Sequence, residues 1–418
     1  MPFNEPVRLI NYWISARLGP RPTCVLPMDV DDPVHFVLSH CDFREGDYHE
    51  QFRAKCTAAL ANLSSALPVS AEVMSQCVYM QSPTRHFRAR CKLSITQEQG
   101  GLDWCIWEGP PEARRQEVVH HYPIASAAVN VLMPRLLVHI GSIGGVLRNG
   151  LVAASFLTAT TGDALVSLIY NSPLSEVEWT VCATELKSRL VADNLAPTVT
   201  NINLMARSRK KVAVVGDSYV VERLLLRDGR ELIYRQPEGA FSNPNSAVSR
   251  SALDWLCDTF RSIRRRGGEN LLELYCGNGN HTVCLSPIMH KVVAVELSDA
   301  LCDAARVNLK LNAISNAEIV NVKAERFAHD VLRGRRYGDV KFDAVLVDPP
   351  RCGLDETTLK LVIGYRTIVY ISCNPEALVR DLRLMLASRN YKIQNISFMD
   401  QFAYTRHLEA GVFLELSD

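Results

Sequence analysis

One thiol and two carboxylates in the last third of the chain have the types and setting for covalent chemistry. "VYISCNP" (369–375) brings an apolar run to a turn at Ser372 and leaves Cys373 at its tip. "FDAVLVDPPRCGL" ends a similar run at Asp348, and "DQFAYTRHLEAGVFLE" sets Glu409 just before a third. Taken alone, Cys373 can be a packed core residue, a metal ligand or a nucleophile. The chain holds 13 cysteines with no CxxC pair and no ligand-like grouping with histidine, which argues against zinc and iron–sulfur sites. A cysteine and a carboxylate converging on a methyl donor imply a specific reaction. Carbon 5 of a pyrimidine is a weak nucleophile until a thiolate adds at carbon 6. A base must afterwards remove the carbon-5 proton so that the thiolate can leave.

Such a reaction needs a sheet edge that gathers these groups. From about residue 236, strand-like runs ("NLLELYC", "KVVAVEL", "AEIVNV", "FDAVLVD", "TIVYIS", "GVFLEL") alternate with segments long enough for crossover helices. This pattern predicts a Rossmann-like, doubly wound, mostly parallel α/β sheet over 236–418, with ligands at the carboxyl ends of the strands. A preceding helix carries Val248, Ala252, Leu256, Phe260 and Ile263. "LELYCGNGNHT" places Gly277 and Gly279 where the first strand turns into a helix, and Glu296 ends the second strand, where an acid can accept both ribose hydroxyls. A lone GxG fits NAD, FAD or S-adenosylmethionine equally. The rigid Asp348-Pro349-Pro350 turn, which presents carbonyls and a carboxylate to the crevice, favours the methyl donor.

Upstream, 48–235 reads as an α+β domain with a large antiparallel sheet. A helix stops at Pro68 with Phe52, Cys56, Leu60 and Leu63 on one face, and hairpin patterns surround Gly100-Gly101 and Gly162-Asp163. Further turns fall at Gly216-Asp217 and Asp228-Gly229. One helix covers roughly 125–140, and another starts at Ser175 with Glu178 in capping-box spacing. Residues 1–47 form an N-terminal extension. Its first 28 residues suit an organellar presequence or a disordered or docking extension, and the acidic stretch that follows suits a solvated linker. Bulk properties are those of a soluble globular protein, with 47% hydrophobic and 22% charged residues and a net charge of +1. No run reaches the roughly 18 apolar residues of a membrane span. Nucleic-acid binding would therefore rest on local patches: Arg85 to Lys92, "RSRKK" (207–211) and "RRR" (264–266).

Together, "LLELYCGNGN", "VDPPRCGLD", "YISCNPE" and "DQFAYTRHLEAGV" resemble the RNA 5-methyluridine methyltransferases, most closely the bacterial-type tRNA (uracil-54-C5)-methyltransferases, over about 48–418. The resemblance implies Cys373 as nucleophile and Glu409 as base. It also implies S-adenosylmethionine as cofactor, held by Asn243, Tyr275, Gly277, Asn280, Glu296 and Asp348, and RNA contacts at Arg88, Arg90 and Phe241. Asn243 stands where the family has glutamine, shortening that amide's reach. Cys276, Cys284, Cys302 and Cys352 read as packing residues. Cytosine methyltransferases place a nucleophilic cysteine directly after an Asp-x-Pro turn, but Arg351 intervenes before Cys352, which favours uracil. The ribosomal-RNA relatives carry an iron–sulfur cluster and a small β-barrel, neither of which is evident here, so tRNA is the expected partner through its T-loop. The expectation is a metal-free monomer in the cytoplasm, with mitochondria as the alternative compartment. The competing readings are a ribosomal-RNA uracil methyltransferase and a non-catalytic tRNA-binding or folding protein.

Overall fold

A computed structural model describes residues 41–97, 101–108, 115–209, 211–263, 269–337 and 340–417. Helices α1 (Tyr48–Ala66) and α2 (Ala71–Ser75) lead into the short strand β1 (Val78–Met80). There follow β2 (Arg90–Thr96), β3 (Asp103–Glu108), β4 (Arg115–Val118), α3 (Ala127–Ile143), β5 (Leu151–Thr158), β6 (Asp163–Tyr170), α4 (Glu176–Ala192), β7 (Asn201–Ser208) and β8 (Lys211–Val215). Strands β2 to β8 form a seven-stranded sheet in the order β4-β3-β2-β5-β6-β7-β8. Burial strictly alternates along β2, the mark of a sheet with one covered face. The predicted hairpins β2–β3 and β5–β6 are present. The sheet is not wholly antiparallel: β6 and β7 run parallel because α4 crosses between them. Ser175 is the N-cap of α4 but makes no side-chain cap bond, so the expected capping box is not formed.

Strands β9 (Tyr219–Leu225) and β10 (Glu231–Pro237) make a separate antiparallel ribbon joined at the predicted Asp228-Gly229 turn. Then come α5 (Ser246–Ile263), β11 (Asn270–Leu274), α6 (Asn280–Leu285), β12 (Lys291–Glu296), α7 (Asp299–Leu311), β13 (Ala317–Asn321) and α8 (Ala324–Leu332). The chain continues through β14 (Ala344–Val347), α9 (Glu356–Val362), β15 (Thr367–Ser372), α10 (Pro375–Ser388), β16 (Tyr391–Met399) and β17 (Glu409–Leu416). The second sheet has the order β1-β16-β17-β15-β14-β11-β12-β13, with β11 to β15 parallel as predicted. Every residue of β14 and β15 is buried, as helix-covered strands require.

Three features depart from expectation. Strand β16 was not foreseen; it enters antiparallel to β17, while β17 lies antiparallel to β15. Residues 48–80, expected with the middle domain, instead join the C-terminal sheet: β1 pairs with β16, and α1 packs near α10. A three-residue strand has too little sequence to name its partner. Residues 41–47, expected as solvated linker, are docked: Asp42 N donates to Tyr404 O and the Phe43 ring meets Tyr404 edge-on. The remainder of the extension, residues 1–40, lies outside the described residues, as do Gly100, Lys210 and Arg264 to Arg266.

Gly411 lies inside this sheet, on β17 between Ile371 and Ser397 of the flanking strands. A β-carbon there would come within 2.7 Å of the Trp255 ring, which is held by its own bond to Asn395. Gly411→Ala is therefore expected to destabilise the fold by about 1–3 kcal/mol through overpacking. A thermal melt would show this as a lower midpoint, by roughly 2–4 °C per kcal/mol for a domain of this size.

Candidate active site at the carboxyl edge of the second sheet

Strand register brings the three reactive side chains to one edge. Val347 pairs with Tyr370, so Asp348 leaves β14 where β15 is finishing. Ser372 pairs with Ala410, so Cys373 and Glu409 are the next residues outward on neighbouring strands. The turn that holds Cys373 is built by its neighbours. Asn374 caps α10 by accepting from Glu376 N at 3.1 Å and donates to Arg351 O at 2.8 Å, tying the cysteine turn to the Asp-Pro-Pro loop. Ser372 Oγ closes the same turn by accepting from Asn374 N at 3.1 Å.

Beside this edge lies an open crevice. Asn243, Tyr275, Gly277, Asn280 and Asp348 line it, together with Phe241. The loop between β11 and α6 is bent by three successive left-handed features: Tyr275 at φ +65°, Gly277 at +56° and Gly279 at +79°. A β-carbon at Gly279 would also sit tightly against the Ala305 β-carbon, at 3.2 Å. A non-glycine residue in this conformation is locally costly, and such strain tends to collect at ligand sites. Glu296 is not in the lining but borders it: its carboxylate accepts from Gly277 N, Leu297 N and Ser298 N. It fixes the loop while retaining some acceptor capacity. The Asn243 amide donates to Ser249 Oγ at 3.2 Å, which anchors it to α5 inside the crevice.

The site is electrostatically loaded. Burial pushes Glu409 up to about 8, with Asp348 adding like-charge repulsion. Burial pushes Asp348 up to about 6; His281 works against this and Glu273 with it. Burial pushes Cys373 up to about 11, reinforced by Glu409 and Asp348 and opposed by Arg351. At neutral pH the cysteine is a thiol and Glu409 is largely protonated. Sequence reasoning missed His281 and Glu273. His281 Nδ1 sits 3.7 Å from Glu273 Oε1; burial works to lower the imidazole, and the carboxylate outweighs it. The signal was available, because His281 directly follows the glycine loop.

The residues expected to contact RNA divide. Phe241 is 56% exposed at the mouth of the crevice, and Arg90 is half-buried. Arg88 is only 2% exposed, which does not fit the expected phosphate contact. Its backbone pairs with Ala125 on one side and Asn245 on the other, so the segment is enclosed rather than two-faced. Arg85 is exposed but paired with Glu45, and Arg207 with Glu238. Cys276, Cys284 and Cys302 are buried as expected, whereas Cys352, in the turn after Pro350, is exposed. Among the described residues no group of three or more histidine, cysteine or acidic side chains could hold a metal. Nor is any helix among them long and apolar enough to cross a membrane.

Comparison with known proteins agrees in fold and sequence. The family model described as tRNA (uracil-5-)-methyltransferase matches residues 48–417. A tRNA/tmRNA (uracil-C(5))-methyltransferase of Acinetobacter baylyi is 35% identical over 381 residues, covering 88% of this chain and 99% of that protein. A namesake from Aromatoleum aromaticum is 36% identical over 337 residues, covering 79% and 86%. The crystal structure of Pyrococcus abyssi tRNA (uracil-54, C5)-methyltransferase with S-adenosyl-L-homocysteine superposes with a TM-score of 0.64 at 20% identity. That match covers 88% of this chain and 83% of the other.

The raised thiol is directly testable. Alkylation of Cys373 by iodoacetamide, mapped by mass spectrometry, should be slow at pH 7 and rise about tenfold per pH unit toward pH 11, since only the thiolate reacts. Glu409→Gln removes a charge that is present only above about pH 8. It should therefore speed alkylation between pH 8 and 11 and change it little below.

Proposed function

The chain belongs to the tRNA (uracil-5-)-methyltransferase family, and from that premise we propose that it methylates the T-loop uridine at position 54, with Cys373 as nucleophile and Glu409 as base. It is an S-adenosylmethionine-dependent tRNA uracil-C5 methyltransferase of the class I fold. The observation that carries the mechanism is the pairing of Ser372 with Ala410, which makes Cys373 and Glu409 neighbours on one edge next to the crevice. The crevice suits the cofactor: a close-approach glycine loop and the Asp348 carboxylate line it together. Bound there, S-adenosylmethionine supplies an electrophilic methyl group and a positive sulfonium charge.

The residues then have separate tasks. Tyr275, Gly277 and Asn280 line the cofactor's side of the crevice, with Asn243 at its α5 wall and Glu296 placed for ribose hydroxyls. Asp348, in the crevice lining, would offset a positive charge held there, and that would remove one like-charge cause of the raised Cys373 and Glu409. Cys373, its proton given up to solvent, adds as thiolate to carbon 6 of a uracil flipped out of its loop; the electron pair displaced to carbon 5 would take the methyl group as the sulfur–methyl bond breaks, leaving the donor sulfur as a neutral thioether. Glu409 then accepts the carbon-5 proton. The C–H pair forms the carbon 5–carbon 6 double bond, the carbon–sulfur bond breaks, and Cys373 leaves as thiolate. Phe241, exposed at the mouth, is positioned to stack on an unpaired base.

Replacing carbon-5 hydrogen by fluorine blocks the last step. Wild-type protein with S-adenosylmethionine and 5-fluorouracil-substituted tRNA should give a covalent adduct on a denaturing gel, and Cys373→Ala should give none. With ordinary tRNA, Glu409→Gln should accumulate a methylated adduct while steady-state turnover falls by two or more orders of magnitude, the scale of a lost general base. Absence of a wild-type adduct under these conditions would rule the mechanism out.

A further inference from the structure

Glu409 is the first residue of β17, and Met399, its partner across the strands, is the last of β16. The base is therefore carried on the rim of a connection, residues 400–408, whose conformation sets where its carboxyl points. That connection is held from outside the sheet. Asp400 is fully enclosed, and Lys55 of α1 reaches it with Nζ 2.5 Å from Oδ1. The same ammonium donates to Phe402 O at 3.4 Å and to His407 O at 3.2 Å. One cation thus joins the outgoing limb, at Asp400 and Phe402, to the returning limb, at His407, two residues before Glu409. The attachment is buried: the Lys55 side chain is 12% exposed. Tyr48, about two turns earlier on α1, adds a bond to Asp400 Oδ2 at 3.1 Å and accepts from Ser82 N. At the tip of the loop, Tyr404 holds a left-handed φ of +64° and donates to Thr84 O.

We propose that Lys55 is a positioning residue for the proton-removal step: its ammonium staples the two limbs of the 400–408 loop and so fixes Glu409 against carbon 5. The inference rests on Glu409 being the base. It assigns to the first helix, 345 residues from Asp400 in sequence, a task in catalysis separate from RNA or cofactor binding. A buried ammonium with one carboxylate and two carbonyl partners satisfies its three donors and has no spare one for a ligand.

The test uses full-length protein, unmodified tRNA transcript and S-adenosylmethionine. Lys55→Met should accumulate methylated tRNA–protein adduct and slow turnover by about 100-fold, the cost of a roughly 1 Å misplacement. Single-turnover methyl transfer and cofactor affinity should stay near wild type, and Lys55→Arg should restore much of the turnover. Lys55→Met leaves Asp400 buried without its counter-ion, so K55M/D400N, which removes both charges, separates folding from positioning. It should fold and still accumulate adduct, because the carbonyl tethers are gone. Wild-type turnover in K55M/D400N overturns the proposal, as does its failure to fold or a parallel loss of methyl transfer and adduct breakdown. Glu409→Gln is the control. If it traps no adduct, the assignment of the base fails; if it does and the Lys55 variants do not, only the role of Lys55 fails.

Discussion

The antiparallel insertion of β17 between β15 and β16 is the constraint on which the site depends. In a purely parallel sheet, only residues that end strands reach the carboxyl edge, and each arrives with its own crossover helix. Reversing one strand brings the start of β17 to that edge, so Glu409 meets Cys373 without a further loop. Asp348 comes from the end of β14, next in the sheet. The three groups thus derive from three strands whose inner residues are mostly apolar and buried, and their spacing follows from register rather than from flexible loops.

The same packing sets the chemistry. Strand ends, helix caps and the crevice walls leave Asp348, Cys373 and Glu409 half-buried, and desolvation is the leading cause of each shift. Three potentially negative groups in one desolvated cluster cannot all ionise cheaply. Opposing this are His281, acting on Asp348, and Arg351, acting on Cys373. At neutral pH Asp348 therefore carries the negative charge of the cluster, while Cys373 and Glu409 keep their protons. A thiol held this way is guarded against adventitious alkylation and oxidation, which attack the thiolate.

Much of this was legible in the sequence because it rests on local patterns. Continuous apolar runs marked β11, β12, β14 and β15, since a strand covered on both faces needs apolar residues at every position. The glycine loop, the Asp-Pro-Pro turn and the cysteine turn each lie where such a run stops. What stayed hidden depends on distant partners. Helix α1 shows an amphipathic face but not which surface it covers, and the Lys55–Asp400 pair is invisible until β16 and β17 are placed. Arg88 sits in a segment that alternates like an exposed strand, yet its backbone is paired on both sides and its side chain enclosed. In β16, "YKIQNISFM" alternates at first and is then wholly buried, a mixture that fits neither a one-faced nor a two-faced strand.

The central claim is that Glu409 removes the carbon-5 proton after Cys373 has carried the uracil through methyl transfer. Transfer RNA made with tritium at carbon 5 of uridine tests it directly, by comparing tritium released to water with methyl groups incorporated. Wild-type protein should release one tritium per methyl group, confined to a single T-loop uridine. Glu409→Gln should incorporate up to one methyl group per protein molecule and release almost none. Release by Glu409→Gln at the wild-type rate would contradict the account.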